Sequence, residues 1–259
     1  MDSKALVAST LLILLGSCKN EPRRPVQSGE TTIMGIDVSH HNGTIDWKTI
    51  AEKDKMQFVF IKATEGTTVV DGMYSKNRLS AKKAGLKVGA YHFLTTSSNA
   101  ESQFNNYSKV VKKEDIDLIP VLDAEIMTKG HPMSETAYVR HVGKWIKLCQ
   151  DYYGKVPILY CSRGHYRKYF KAHFKECLFW CGDVDASRDY VDGEAWIMWQ
   201  KTIQKCHGSQ SKLDVNVLAP NKSIQDIALK RTNVTDGIDI SHSYESPQNE
   251  KRSTSKNQI

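Results

Sequence analysis

From residue 33 onward the chain alternates short apolar runs with amphipathic helical patterns, and no other feature restricts its fold as much. Eight runs read as strands, at residues 33–38, 57–63, 87–93, 118–123, 156–161, 178–181, 196–200 and 213–217. Helical patterns fill the gaps between the first five. Asp46 can cap a helix opening at Trp47, with Ile45 and Ile50 spaced as a hydrophobic staple, and Ser98-x-x-Glu101 has capping-box spacing ahead of Phe104, Tyr107 and Val111. Ser134 can cap a longer helix striped by Val142, Trp145, Ile146 and Cys149, which Gly154 would stop. Repeated strand–helix units predict an α/β fold of parallel strands buried on both faces. Eight such strands can close into a barrel without edges, although the last three are more loosely connected than an ideal barrel requires. An open doubly wound sheet is the alternative, but no glycine-rich phosphate loop follows the first strand to favour it. With 40% hydrophobic and 25% charged residues in 259, the composition is that of a globular protein, which excludes disordered, collagen-like and multi-span membrane classes.

The ends of the chain read differently. Residues 5–15 are apolar, too short to span a bilayer and flanked by Lys4, as in the core of a signal peptide. Leu15-Gly16-Ser17-Cys18 resembles a bacterial lipoprotein cleavage box, which makes 1–18 a signal peptide and Cys18 the lipidated residue; a plain signal peptide is the alternative. Lipidation there would tether the mature chain to a membrane of the cell envelope without spanning it. Residues 19–32, with Pro22 and Pro25, form a polar linker, 33–218 a single barrel domain, and 219–259 a tail. In that tail Gly237-Ile238-Asp239-Ile240-Ser241-His242 repeats Gly35-Ile36-Asp37-Val38-Ser39-His40 with one conservative change. It reads as the trace of a tandem copy; a bolder expectation is that it competes for the first-strand slot. Beyond Cys18 there are five cysteines, so an exported chain keeps at least one free thiol or an intermolecular bond. Cys177 and Cys181 lack a second ligand pair and suit core packing better than zinc.

Chemistry gathers where a parallel barrel would hold it, at the C-terminal ends of the strands. Those ends supply Asp37, Glu65, His92, Asp123, Glu125, Tyr160, Trp199, Gln200 and Asp214. Independent surface acids would scatter over both ends, whereas here carboxylates from four or more strands converge. In Asp123-Ala124-Glu125 an extended backbone points both acids the same way. Crowding in a partly dry cleft then raises the proton affinity of one of them, the division of labour that cleavage of a glycosidic bond needs. On the 196–200 strand only one side can face the mouth, so a core position for Trp196 or Trp199 is the alternative reading. His40 and His41 invite a metal reading, but neighbours on a strand point apart, and neither metal nor cofactor is expected.

Together, Gly35 to Gly43, Ile45-Asp46-Trp47, Phe58 to Gly66, Gly89-Ala90-Tyr91-His92-Phe93, Pro120 to Glu125, Trp199-Gln200 and Asp214-Val215-Asn216 resemble the family 25 glycoside hydrolases, lysozyme-like N-acetylmuramidases. The resemblance implies a flattened TIM-like barrel of eight strands and about five helices. It implies cleavage of the β-1,4 bond between N-acetylmuramic acid and N-acetylglucosamine in peptidoglycan. By motif position Glu125 is the general acid, Asp123 assists through orientation or the substrate's acetamido group, and Asp37 and Asp214 complete the acidic floor. Glu65, Tyr91, His92, Tyr160, Trp199 and Gln200 fall to substrate binding or support. The run Leu178 to Asp183 departs from the pattern, which puts sugar contacts from the sixth strand in doubt.

Other readings stay open: a chitinase-like or endo-N-acetylglucosaminidase barrel, whose strands also end in D-x-E, and a non-catalytic wall-binding protein. The net charge of +7 suits an anionic wall polymer and is too dispersed to point to nucleic acid. Glycan strands and the membrane are the expected partners, and a monomer the expected state.

Overall fold

The computed structural model describes residues 32–125 and 127–229. The expected signal segment with Cys18, nearly all of the linker and the second Gly-Ile-Asp copy lie outside the described residues. Among the described residues nine strands form one sheet: β1 (Met34–Val38), β2 (Phe58–Glu65), β3 (Val69–Val70), β4 (Lys87–Phe93), β5 (Val121–Asp123), β6 (Ile158–Cys161), β7 (Phe179–Cys181), β8 (Met198–Lys205) and β9 (Lys212–Leu218). β1 pairs with β9 on one side and β2 on the other, so eight strands close on themselves. That pairing excludes the open sheet. The two-residue β3 lies outside the ring, antiparallel to β2.

The barrel is not parallel throughout. β9 runs antiparallel to both β8 and β1. The connection from β8 is a short hairpin, and a parallel return would have required a crossover of a dozen or more residues.

The pleat sorts side chains into two apolar layers. Phe58, Phe60, Val121, Ile158, Trp180, Met198 and Leu218 fill the interior, while Val59, Ile61, Leu122, Leu159, Phe179 and Val217 face outward to the helices. The large interior rings fit because two strands carry glycine opposite them. A Cβ on Gly35 would lie 2.4 Å from the Phe58 ring, and one on Gly89 2.2 Å from the Phe60 ring.

The outer layer consists of α1 (Trp47–Glu52), α2 (Tyr74–Lys83), α3 (Ala100–Val110), α4 (Glu135–Tyr153), α5 (Arg163–His165, continued by a π-turn over Tyr166–Phe170) and α6 (Arg188–Val191). Asp46 caps α1 by accepting the Thr49 N–H at 3.1 Å, and Ser134 caps α4 by accepting that of Ala137 at 3.3 Å. Gly154, at φ 76°, ends α4. At α3 the cap is Asn99, one residue beyond the expected Ser98, and it accepts the Ser102 N–H at 2.8 Å. The shift leaves the Ser98 carbonyl free to accept from Gln103 Nε2 at 3.0 Å.

At the end of the barrel where β5 begins, the chain after β9 forms a plug. Ile227 is fully buried in the interior layer, its carbonyl accepts from Ile119 N at 2.9 Å, and Leu229 N donates to Asp117 O at 2.9 Å. The packed domain thus continues through Leu229, past the expected boundary at 218. Cys149, Cys161, Cys177, Cys181 and Cys206 are buried free thiols, in keeping with a packing role.

Candidate active site

The strands around β5 direct their C-terminal ends to the mouth opposite the plug, and reversed β9 brings its N-terminal end there. Asp214 therefore reaches the site from the start of its strand, not from the end as a parallel barrel would require, and lies directly across from Asp37. Asp123 ends β5, level with Phe93 on β4 and Tyr160 on β6. Glu125 follows two residues later, with Ala124 buried between them. These four acids line one cleft of about 270 Å³ together with Tyr91, Tyr160 and Gln200.

A chain of hydrogen bonds fixes the floor. Tyr160 OH donates to Gln200 Oε1 at 2.9 Å, and Gln200 Nε2 donates to Asp37 Oδ2 at 2.9 Å. Asn216 Nδ2 donates to the same Asp37 oxygen at 2.8 Å. Burial and the Asp214 charge nevertheless push the Asp37 pKa up to about 7, with the two amides working the other way. Burial also raises the proton affinity of Glu125 and Asp214. Asp123 lies well above the usual carboxylate range because of burial, then of the neighbouring Glu125 and Asp37 charges. Its Oδ1 is buried without a hydrogen-bond partner among the described residues. An acidic cluster of this kind retains protons near neutrality that isolated carboxyls would have lost, and a buried orphan oxygen stands ready for a donor on a ligand.

Of the six residues read as binding or supporting the substrate, Tyr91, Tyr160 and Gln200 line the cleft and the other three do not. His92 faces away from it, fully buried, with Thr64 Oγ1 at 2.8 Å, Gln103 Oε1 at 3.2 Å and a ring stacked on Trp145 at 5.6 Å. The β4 pleat sends Tyr91 and Phe93 inward and His92 outward. Trp199 is likewise on the outer face, 4% exposed, and donates to Asp183 O at 2.9 Å. Glu65 is not in the cleft wall; it grips Lys62, which is, at 2.7 Å.

Sequence reasoning missed Lys62, Asn216 and Trp180, although the first two lie within the quoted motifs. Trp180, from the strand whose contacts were in doubt, is 2% exposed and packs edge-on against Tyr160 at 5.0 Å. It steadies that ring from behind. His40 commits its Nδ1 and its backbone N–H to Asp71, at 2.8 and 2.9 Å, and is not part of the cleft lining, whereas His41 is.

Comparison with known proteins follows the same lines. The family model described as glycosyl hydrolases family 25 matches residues 36–207. The Escherichia coli K12 protein YegX, described as uncharacterized, is 33% identical over 215 residues, 79% of this chain and 77% of its own. An autolytic lysozyme of Clostridium acetobutylicum is 28% identical over 164 residues, 61% of this chain and 47% of its own. A family 25 glycosyl hydrolase structure from Bacillus anthracis superimposes with a TM-score of 0.67 at 34% identity, covering 73% of this chain and 90% of that one.

Proposed function

The chain belongs to glycosyl hydrolases family 25 and is a glycoside hydrolase, and from that premise we propose that it is a muramidase with Glu125 as its general acid. The substrate is the β-1,4 link between N-acetylmuramic acid and N-acetylglucosamine. One observation carries the assignment of roles: acids from β1, β5 and β9, distant in sequence, share one cleft with raised proton affinities. Glu125 is half-buried and projects beyond the strand end, where its carboxyl can hold a proton and deliver it to the bridging oxygen. Asp123 sits deeper, with an oxygen free to accept from the substrate's acetamido N–H and steady the charge that develops at the sugar. Asp37, held by Gln200 and Asn216, and Asp214 opposite it keep the floor acidic. Exposed Lys201, Lys205 and Lys212 on the β8–β9 hairpin give an anionic wall polymer a basic approach to this acidic floor.

Glu125→Gln preserves shape and removes the proton. It is expected to fold normally and to lower wall lysis about 100- to 10,000-fold, the range of a lost general acid. Mass spectra of wild-type digests should show new reducing muramic acid ends. Reducing glucosamine ends, or undiminished lysis by the variant, would defeat the reading.

A further inference from the structure

Two carboxyls separated by one alanine and buried in the same cleft compete for a proton, and the roles above require Glu125 to keep it. Burial alone favours the deeper Asp123 in that contest, so a favourable charge acting on Asp123 must offset it. Strand β2 supplies it. A regular strand would send Lys62 and Glu65, three residues apart, to opposite faces. The pairing of β2 with β4 slips between Lys62 and Thr64, a bulge that passes over Ala63. Thr64 then turns outward to His92, and Glu65 comes level with Phe93 and, one strand further, with Asp123. Lys62 and Glu65 can therefore join at 2.7 Å, with Lys62 only 12% exposed and its ammonium 5.0 Å from the centre of the Phe93 ring. Among the described residues lining the cleft, Lys62 is the one lysine or arginine.

We propose that Lys62, anchored by Glu65, is a positioning residue for the reaction: its ammonium weakens the hold of Asp123 on a proton and so biases the proton of the pair toward Glu125. The inference rests on the muramidase reading and deepens it. Asp123 is faced by Asp37 from β1, Lys62 and Glu65 from β2, Tyr91 from β4, Glu125 beyond its own strand, and Tyr160 from β6. Burial holds both phenols neutral, as it does Tyr138 and Cys161 behind the strand. Of the charged neighbours, Lys62 favours the ionised form of Asp123, while Glu125, Asp37 and Glu65 oppose it. The raised proton affinity of Glu125 comes first from its burial. Once Glu125 is protonated its repulsion of Asp123 vanishes, and Lys62 then works against burial and the Asp37 and Glu65 charges only.

The test is the pH dependence of lysis of purified sacculi by the full chain. Lys62→Met is expected to move the acidic limb upward by about one pH unit, the effect of losing an opposite charge nearby, with roughly tenfold less activity on that limb. Lys62→Arg restores the wild-type limb, and Glu65→Gln, which removes an anion, moves it downward. A merely structural lysine would lower activity at every pH and leave the limb in place. Superimposable limbs for wild type and Lys62→Met, or an upward shift in Glu65→Gln, overturn the inference. Lys62→Gln serves the same comparison should the methionine variant not fold. An inactive wild type would overturn the muramidase reading itself, an outcome distinct from an unshifted limb in an active enzyme.

Discussion

Asp37 shows what a buried cleft acid does to the fold that carries it. Its pKa of about 7 means that the native chain holds a proton which the unfolded chain releases near 3.8. Between those values the native state binds more protons, so this residue makes stability fall as pH rises from about 4 to 7. Asp37→Asn keeps an oxygen for Gln200 and Asn216 and removes the charge facing Asp214. The variant is expected to melt a few degrees above wild type at pH 8, to match it at pH 4, and to lose most of its lytic activity. An equal difference at both pH values in a melting series would show that the charge is not the cause.

At the scale of elements, β4 divides its labour by the pleat: Tyr91 and Phe93 serve the cleft, while His92 ties the barrel to α3 and α4. The Gln103 side chain extends the tie, donating to Thr95 O at 2.8 Å, and His141 Nε2 lies 2.9 Å from the same carbonyl. Burial lowers the His92 pKa to about 4, so the ring stays neutral in the native state while the unfolded chain protonates near 6.5. The stability this neutral ring contributes is present above about 6.5 and is lost as pH falls toward 4. His92→Ala should therefore cost roughly 2–4 kcal/mol at pH 7, from lost packing and hydrogen bonds, and less at pH 4.5. Denaturant melts check the stability, and an unchanged KM on wall fragments checks that the residue is not a sugar contact. A raised KM with unchanged stability would return His92 to the binding site.

For the whole molecule, the plug formed after β9 sets where the chain can be cut. Truncation after Leu229 should retain the wild-type melting temperature, and truncation after 220, which removes Ile227 from the interior, should lower it by several degrees. Indistinguishable melts would show that the plug contributes nothing. The same Leu229 truncation tests the expectation about the second Gly-Ile-Asp copy: higher lysis supports competition for the β1 slot, unchanged lysis rejects it. Much of this architecture could be read locally. Strand positions, the Asp46 and Ser134 caps and the Asp-Ala-Glu spacing depend on periods of 2 and 3.6 residues and on side chains bonding their own backbone, all properties of neighbours in sequence. Which phase of each strand faces the cleft was not legible: His92 and Trp199 were left between substrate binding and support, and both lie buried on the outer face. In a barrel wrapped by helices both faces of the sheet are apolar, so hydrophobicity marks the strand without marking its inside. The reversal of β9 that places Asp214 opposite Asp37, and the bulge that turns Lys62 and Glu65 to each other, arise from register between strands far apart in the chain. The sequence by itself determined the acids and the strands that bear them; tertiary pairing alone decided which of them meet.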